Sequence, residues 1–314
     1  MAPLQSRMSL RNLRLIAAIA AEGSLSRAAQ SLNMTQSAVT KALQEVEAAL
    51  GCPLFRRTNR GAIATEYGRA LSAHAGVILT QLDHAAQEIT DLRDGQSGTV
   101  VLGTLLAASV SLLPRAIVAV RRQRPNLAIR TVEGTNQSLM PLLRQGALDM
   151  VVGRLPVFRQ RDGIVQEALC DDRAVVVVRA CHPLAGRAGL CLADLTGHDW
   201  ILPPAETTLR RQIDEAFRQQ GLQAPAAGVE SLSVLITRAL LREAEMLAVW
   251  PAGLAAQEAQ AGAVAILPVA LDPTARPIGI STRAGARLSP AAELVRQALR
   301  EAAEAEGRTV MQRG

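Results

Sequence analysis

Apolar residues recur at helical spacing through the first fifty positions. Leu10, Leu13, Ala17 and Ala20 share a face of a helix read from Ser9 to Ala21, with Ser9 placed to cap its start and Glu22-Gly23 to stop it. Leu25, Ala28, Ala29 and Leu32 follow Ser24 at i, i+3, i+4 and i+7, a single stripe whose alanines let another helix approach closely. After the tight turn Asn33-Met34, Thr35 opens a third helix. Val39, Ala42, Leu43, Val46 and Leu50 form its buried stripe, and Gly51 closes it. Two short extended runs around Asn59–Gly61 predict a β-hairpin. From Tyr67 to about Leu92 the apolar residues Leu71, Ala75, Ile78, Leu82, Ala85, Ile89 and Leu92 alternate steps of four and three, a coiled-coil seam. A helix packing on its own chain gives the same pattern.

Asp94-Gly95-Gln96-Ser97-Gly98 breaks the chain, and the period then changes. Thr99–Thr104 reads as a buried strand, Pro114–Gln123 as a helix, Leu127–Glu133 as a strand, Gln137–Arg144 as a helix and Asp149–Gly153 as a strand. That βαβαβ rhythm predicts a parallel sheet. A second set follows: strands Ala174–Arg179 and Trp200–Leu202, helices Thr208–Gln219 and Ser231–Arg242, and strands Met246–Val249 and Ala263–Leu267. Strand Ile278–Arg283 and helix Ala291–Ala303 complete the pattern.

Two small helices joined by a short turn are a helix-turn-helix candidate. A plain helical bundle is the bland alternative, and the exposed face of the third helix discriminates. It carries Gln36, Ser37, Thr40, Lys41 and Gln44, crowded toward the N-terminal end that enters a major groove. Amides and hydroxyls there can bond base edges and phosphates. Arg56, Arg57 and Arg60 cluster on the hairpin, where a wing of arginines would meet phosphates.

Charge sharpens this. Residues 1–66 hold eight basic side chains against four acidic, so the net +6 of the 314-residue chain is concentrated at the N-terminal end. Lys41 is the only lysine, which excludes a Walker phosphate loop and a Schiff-base lysine elsewhere. Aromatic residues are 2% of the chain, too few for a single-strand binder that stacks bases. Cys52, Cys170, Cys181 and Cys191 include no Cys-x-x-Cys pair, and His74, His84, His182 and His198 show no metal-ligand spacing. The cysteines are expected to be free, mostly buried thiols, and neither metal nor cofactor is expected. Arg11 and Arg14 before Leu15–Ala21 superficially resemble a signal peptide, but helical spacing continues beyond it. No apolar run reaches the roughly 18 residues of a membrane span. The expected location is the cytoplasm, with no membrane partner.

Open parallel sheets bind ligands beyond the C-terminal ends of their strands. That rule selects Thr104, Gly134-Thr135-Asn136 and Arg154. The helix starts after Thr104 and Asn136 offer amides to an anion, and Arg154 could pair a carboxylate. Simple capping by Thr104 and Thr135 is the competing reading.

These residues carry a resemblance. Ser24-x-x-x-Ala28-Ala29-x-x-Leu32, then Thr35-Gln36-Ser37-Ala38-Val39-Thr40, then Leu43, Glu47, Leu50-Gly51-x-Pro53-Leu54-Phe55-x-Arg57 and Thr65-x-x-Gly68 are similar to the DNA-binding domain of LysR-type transcriptional regulators. That family usually has proline where Ser37 stands. The resemblance implies an α+β multidomain fold: a winged helix-turn-helix over 8–66, a linker helix and hinge over 67–96, and an effector-binding domain over 97–306 resembling periplasmic binding proteins. Subdomain I is expected at about 97–167 and 270–306, and subdomain II at about 168–269. Ser24, Thr35 and the polar and basic residues above are then the DNA-binding set. Thr104, Thr135, Asn136, Arg154, Pro203 and Pro204 border the effector pocket, and Trp200 is expected near the cleft. His182 falls in a recurrent family turn. The linker helix pairs two chains, giving a homodimer, extended to a homotetramer, on an inverted-repeat operator in double-stranded DNA. RNA polymerase is a further expected partner. The arginine at 154 occurs in some members that sense aromatic carboxylates. The run Gly146–Arg154 also resembles regulators of protocatechuate or sugar-uptake genes. An organic acid or sugar-related effector is therefore expected. The alternative is a cytoplasmic small-molecule-binding protein or α/β enzyme with no DNA role. No Gly-x-Ser-x-Gly, His-Glu-x-x-His or Gly-x-Gly-x-x-Gly motif supports an enzyme.

Overall fold

The computed structural model describes residues 8–58, 61–93, 98–156, 163–271 and 276–311. Two units are distinguished, one running to Gly98 and a second that holds nearly all of the chain from Thr99.

The first unit contains α1 (Leu10–Glu22), α2 (Leu25–Ser31), α3 (Gln36–Leu50), β1 (Phe55–Thr58), β2 (Gly61–Ala64) and α4 (Glu66–Arg93). Local chemistry sets the boundaries. The Ser9 hydroxyl accepts from the Asn12 amide at 3.2 Å, and Gly23 ends α1 at φ 59°. The Thr35 hydroxyl accepts from the Ala38 amide at 3.2 Å, and Gly51 ends α3 at φ 72°. Ser24 occupies the cap position of α2, but its side chain makes no capping bond. The core gathers Ile16 and Ile19 of α1, Ala28 and Ala29 of α2, Val39, Leu43 and Val46 of α3, and Leu54. This corrects the face expected for α1. Leu10 is exposed, as is Ala20, while Leu13, Leu15, Ile16 and Ile19 are buried. The run Leu15–Ala21 is apolar all round, so spacing alone could not fix its phase, and the bulkier isoleucines occupy the core.

The hairpin pairs Phe55 with Ala64 and Thr58 with Gly61 in antiparallel register. It is clamped to the α1–α2 turn: the Ala62 amide donates to the Gly23 carbonyl at 2.8 Å, and a Cβ on Gly61 would lie 2.2 Å from that oxygen. No larger residue fits there. α1 lies against α4, whose Leu71 joins the core and whose Ala75 is buried. Farther along α4, Ile78, Leu82 and Ile89 are exposed.

The second unit holds two five-stranded sheets. Subdomain I comprises β3 (Thr99–Thr104), β4 (Ala128–Glu133), β5 (Met150–Arg154), β6 (Ile164–Asp172) and β12 (Arg276–Arg283), in the order β4-β3-β5-β12-β6. Its helices are α5 (Leu106–Ser109), α6 (Leu112–Gln123), α7 (Asn136–Gln145) and α11 (Pro290–Met311). β3 runs parallel to β4 and β5, as the βαβαβ rhythm predicts, whereas β12 is antiparallel to β5 and β6. Subdomain II comprises β7 (Ala174–Arg179), β8 (Asp199–Leu202), β9 (Ala227–Glu230), β10 (Met246–Pro251) and β11 (Val264–Ile266), in the order β11-β7-β10-β8-β9. Its helices are α8 (Thr208–Gln219), α9 (Val234–Glu243) and α10 (Ala252–Gln260). Helices cover both faces of each sheet, so each sheet has a core on either side.

β6, β9 and α10 were not expected from the sequence. β6 pairs with β12 along its whole length, so it belongs to the first sheet. The chain therefore crosses between sheets at Arg173, not at the expected 168. Cys181 and Cys191 are exposed rather than buried, and the Cys191 thiol donates to Asp194 at 3.2 Å.

Candidate nucleic-acid interface and effector cavity

In the first unit, the turn after α2 depends on Asn33 at φ 53° and on the Met34 amide, which donates to the Ala29 carbonyl at 2.8 Å. The turn sets α3 against α2 with its N-terminal end outward. Gln36, Ser37, Lys41 and Gln44 are exposed there, and Thr40 is half-buried. The Thr35 hydroxyl lies 3.1 Å from that of Ser37 while it caps the helix, so Thr35 is structural as well as available. Ser24 is half-buried at the start of α2. Arg56 is exposed on β1. Arg57 lies on β1 with its side chain outside the described residues, and Arg60 lies outside them altogether. Glu47, whose role spacing alone did not reveal, holds the wing to α3. Its carboxylate accepts from the amides of Leu54 and Phe55 at 2.7 and 3.1 Å.

The second unit contains a cavity of about 120 Å³ between its subdomains. The first turns of three helices border it: Thr135, Asn136 and Gln137 at α7, Thr207 and Thr208 at α8, and Ser231 and Val234 at α9. The leading amides of a helix have no partner within it and carry its positive dipole end. Leu105, Ile201, Leu232 and Trp250 supply much of the apolar wall. Gly153 allows the close approach of β5 to Leu105, where a Cβ would lie 2.5 Å from the leucine Cβ.

Of the six expected pocket residues, Thr135, Asn136, Arg154 and Pro203 line this cavity. Thr104 does not: its hydroxyl is 2.9 Å from that of Ser109, so it braces α5 instead. Pro204 is half-buried outside the lining. Trp200 is not at the cleft. It packs edge-on against Phe217 in the core on the other face of its sheet, with ring centroids 5.9 Å apart.

Arg154 lines the cavity, but its fork is turned onto the protein. Nε and Nη2 both donate to one oxygen of Asp172, at 2.8 and 2.6 Å, and Nη1 donates to Gln212 at 3.4 Å. Its carbonyl accepts from Asn136 Nδ2 at 3.1 Å. Burial raises the Asp172 carboxyl above its ordinary value, while Arg154 and the amides of Arg173 and Ala252 pull it back. Among the described residues, no group of three or more His, Cys, Asp or Glu could hold a metal, and no helix is long and apolar enough to cross a membrane.

Comparison with known proteins agrees with both halves. Residues 10–69 match the bacterial regulatory helix-turn-helix proteins of the lysR family, and residues 93–304 match the LysR substrate binding domain. The transcriptional regulator GbpR of Azospirillum brasilense is 34% identical over 98% of this chain and 91% of its own. The regulator PcaQ of Agrobacterium fabrum is 32% identical over 96% of each. Among solved structures, full-length BenM is 25% identical with a TM-score of 0.56, covering 96% of this chain and 98% of its own. CbnR bound to its target DNA shares the fold at a TM-score of 0.62 and 21% identity, over 94% of this chain and 100% of its own. With a helix-turn-helix head at one end and a cavity-bearing α/β domain at the other, the chain belongs to the LysR family of DNA-binding transcriptional regulators, not to the enzymes.

Proposed function

We propose that this regulator reads an inverted-repeat operator as a homodimer, assembled further into a tetramer, and that an organic acid or sugar-related metabolite in the cavity sets its output. The observation that carries the reading is the meeting of three helix N-termini on one apolar-walled cavity. Amides and positive dipole ends suit a carboxylate or a cluster of hydroxyls, and the apolar wall suits a carbon skeleton. Thr135 and Asn136 take the polar end and Pro203 closes one side. The charge complement comes from the helix starts, because Arg154 is matched by Asp172. On DNA, Gln36, Ser37, Thr40, Lys41 and Gln44 reach base edges or phosphates, Ser24 and Thr35 flank them, and Arg56, Arg57 and Arg60 grip the backbone. Contact with RNA polymerase and residence in the cytoplasm follow from the same reading.

The test isolates bound fragments from genomic DNA and measures affinity for the best one against salt. Lys41→Ala with Thr40→Ala is expected to weaken binding at least tenfold, and the loss of Lys41 to flatten the salt slope by about one unit. Wild-type affinity and slope in that variant would remove α3 as the reader.

A further inference from the structure

Arg154 and Asp172 are a buried pair at a special place. Arg154 ends β5 in subdomain I. Asp172 ends β6, the last residue of that sheet before the chain crosses at Arg173 into β7. The Ala252 amide, at the start of α10 in subdomain II, faces the same carboxylate and donates to the Arg173 carbonyl at 2.8 Å. Gln212, which accepts from Arg154, is a buried residue of α8, also in subdomain II. One guanidinium–carboxylate pair therefore touches the end of one sheet, the crossover and two helices of the other subdomain. The side chains are 6% and 9% exposed, so solvent does not screen the pair.

A buried ion pair is a weak source of net stability, because desolvation offsets its attraction. Here burial raises the Asp172 carboxyl and outweighs the pull of the guanidinium beside it. The adjoining Asn136 leaves its Oδ1 buried with no hydrogen-bond partner. Its orientation is fixed, since only Nδ2 can face the Arg154 carbonyl. A cluster that holds charge at a crossover, at the cavity wall and with an unmet acceptor is better suited to fixing a geometry than to adding stability.

We propose that the Arg154–Asp172 pair is a pin between the two subdomains, and that Arg154 acts as a positioning residue that sets the cleft angle rather than as the counter-ion of the effector. The proposal rests on reading this domain as the effector-responsive half of a regulator. A ligand against α7 and α8 shifts the pinned geometry only by favouring one spacing of Arg154 and Gln212 over another.

The experiment uses the full-length chain and hydrogen exchange. Arg154→Met and Asp172→Leu each leave an unmatched buried charge and threaten folding, so the double variant, which leaves none, carries the test. The double variant is expected to melt close to wild type. Amides of residues 172–175, of Trp250 and of residues 252–254 should exchange at least tenfold faster, while those of β3 and of Ile201 in β8 stay within twofold. Output from the selected operator without added effector should shift at least threefold, which a purely stabilising pair would not cause. Wild-type exchange at the crossover in the folded double variant, or faster exchange with unchanged output, would overturn the proposal. A wild-type chain that captures no operator DNA would instead overturn the regulatory reading, and the exchange measurement would still stand.

Discussion

Trp200 and Trp250 lie on neighbouring strands, β8 and β10, yet face different surroundings. Successive strand residues point to opposite faces. Trp200 enters the core beneath α8, while its neighbour Ile201 faces the cavity beside Trp250. Both tryptophans and the strands that carry them were legible in the sequence, but the face each side chain takes was not. Trp200, Ile201 and Leu202 are all buried, so polar alternation could not show which side faced the cavity. The same limit applies to Arg154. Its position at a strand end was legible, whereas its partner Asp172 is distant in sequence and on a strand that the pattern did not reveal. Intrinsic fluorescence distinguishes the two tryptophans. Titration with a panel of organic acids and sugars should change emission in the wild type and in Trp200→Phe. Trp250→Phe should abolish that change, because Trp200 is sealed from the cavity. A ligand-dependent signal that survives in Trp250→Phe and vanishes in Trp200→Phe would reverse the assignment.

At the scale of elements, the sequence revealed what local chemistry dictates and missed what tertiary pairing supplies. α2 and α3 were legible because their apolar stripes and caps agree. β6 was not, since Ile164–Asp172 alternates poorly and its acidic end reads as a loop; its strand form comes from β12 beside it. α10 buries only Leu254 and Ala255 and opens with Ala-Gly, so its stripe is too thin to read. The wing shows how a single side chain can join elements. Glu47 accepts two amides from the segment that leads α3 into β1, and a carboxylate acceptor makes such bonds stronger than neutral ones. Glu47→Ala leaves two part-buried amides unmet and should cost about 2–3 kcal/mol of the stability of the first unit. Glu47→Gln, which keeps one acceptor, should cost less. Chemical denaturation followed by circular dichroism measures both, and equal losses in the two variants would show that packing, not hydrogen bonding, holds the wing.

For the whole molecule, the unresolved economy of the single chain is α4. Its N-terminal part is occupied by α1, with Ala75 buried and Leu71 in the core. Beyond that, Ile78 and Leu82 are each 43% exposed and Ile89 is 68% exposed, in the four-three spacing of a coiled-coil seam. The sequence pattern left two occupants open, a second copy or the chain itself, and among the described residues these side chains stay partly exposed. Full burial of each such side chain is worth about 2 kcal/mol, so two copies pairing along this stripe gain several kcal/mol from symmetry-doubled contacts. Pairing would also set two recognition helices at a fixed spacing, which is what an inverted repeat requires. The basic charge concentrated in residues 1–66 suits DNA of any sequence; on the proposed pairing, a spacing set by α4 would turn that attraction into selection of two half-sites. Ile78→Glu with Leu82→Glu places carboxylates of both chains on one seam and should convert the protein to monomers by sedimentation velocity at concentrations where wild type is oligomeric. Affinity for the two-half-site operator should fall at least a hundredfold, whereas binding to a single half-site should change less than threefold, since α3 and its face are untouched. An oligomer that persists in this variant would move the pairing surface away from α4.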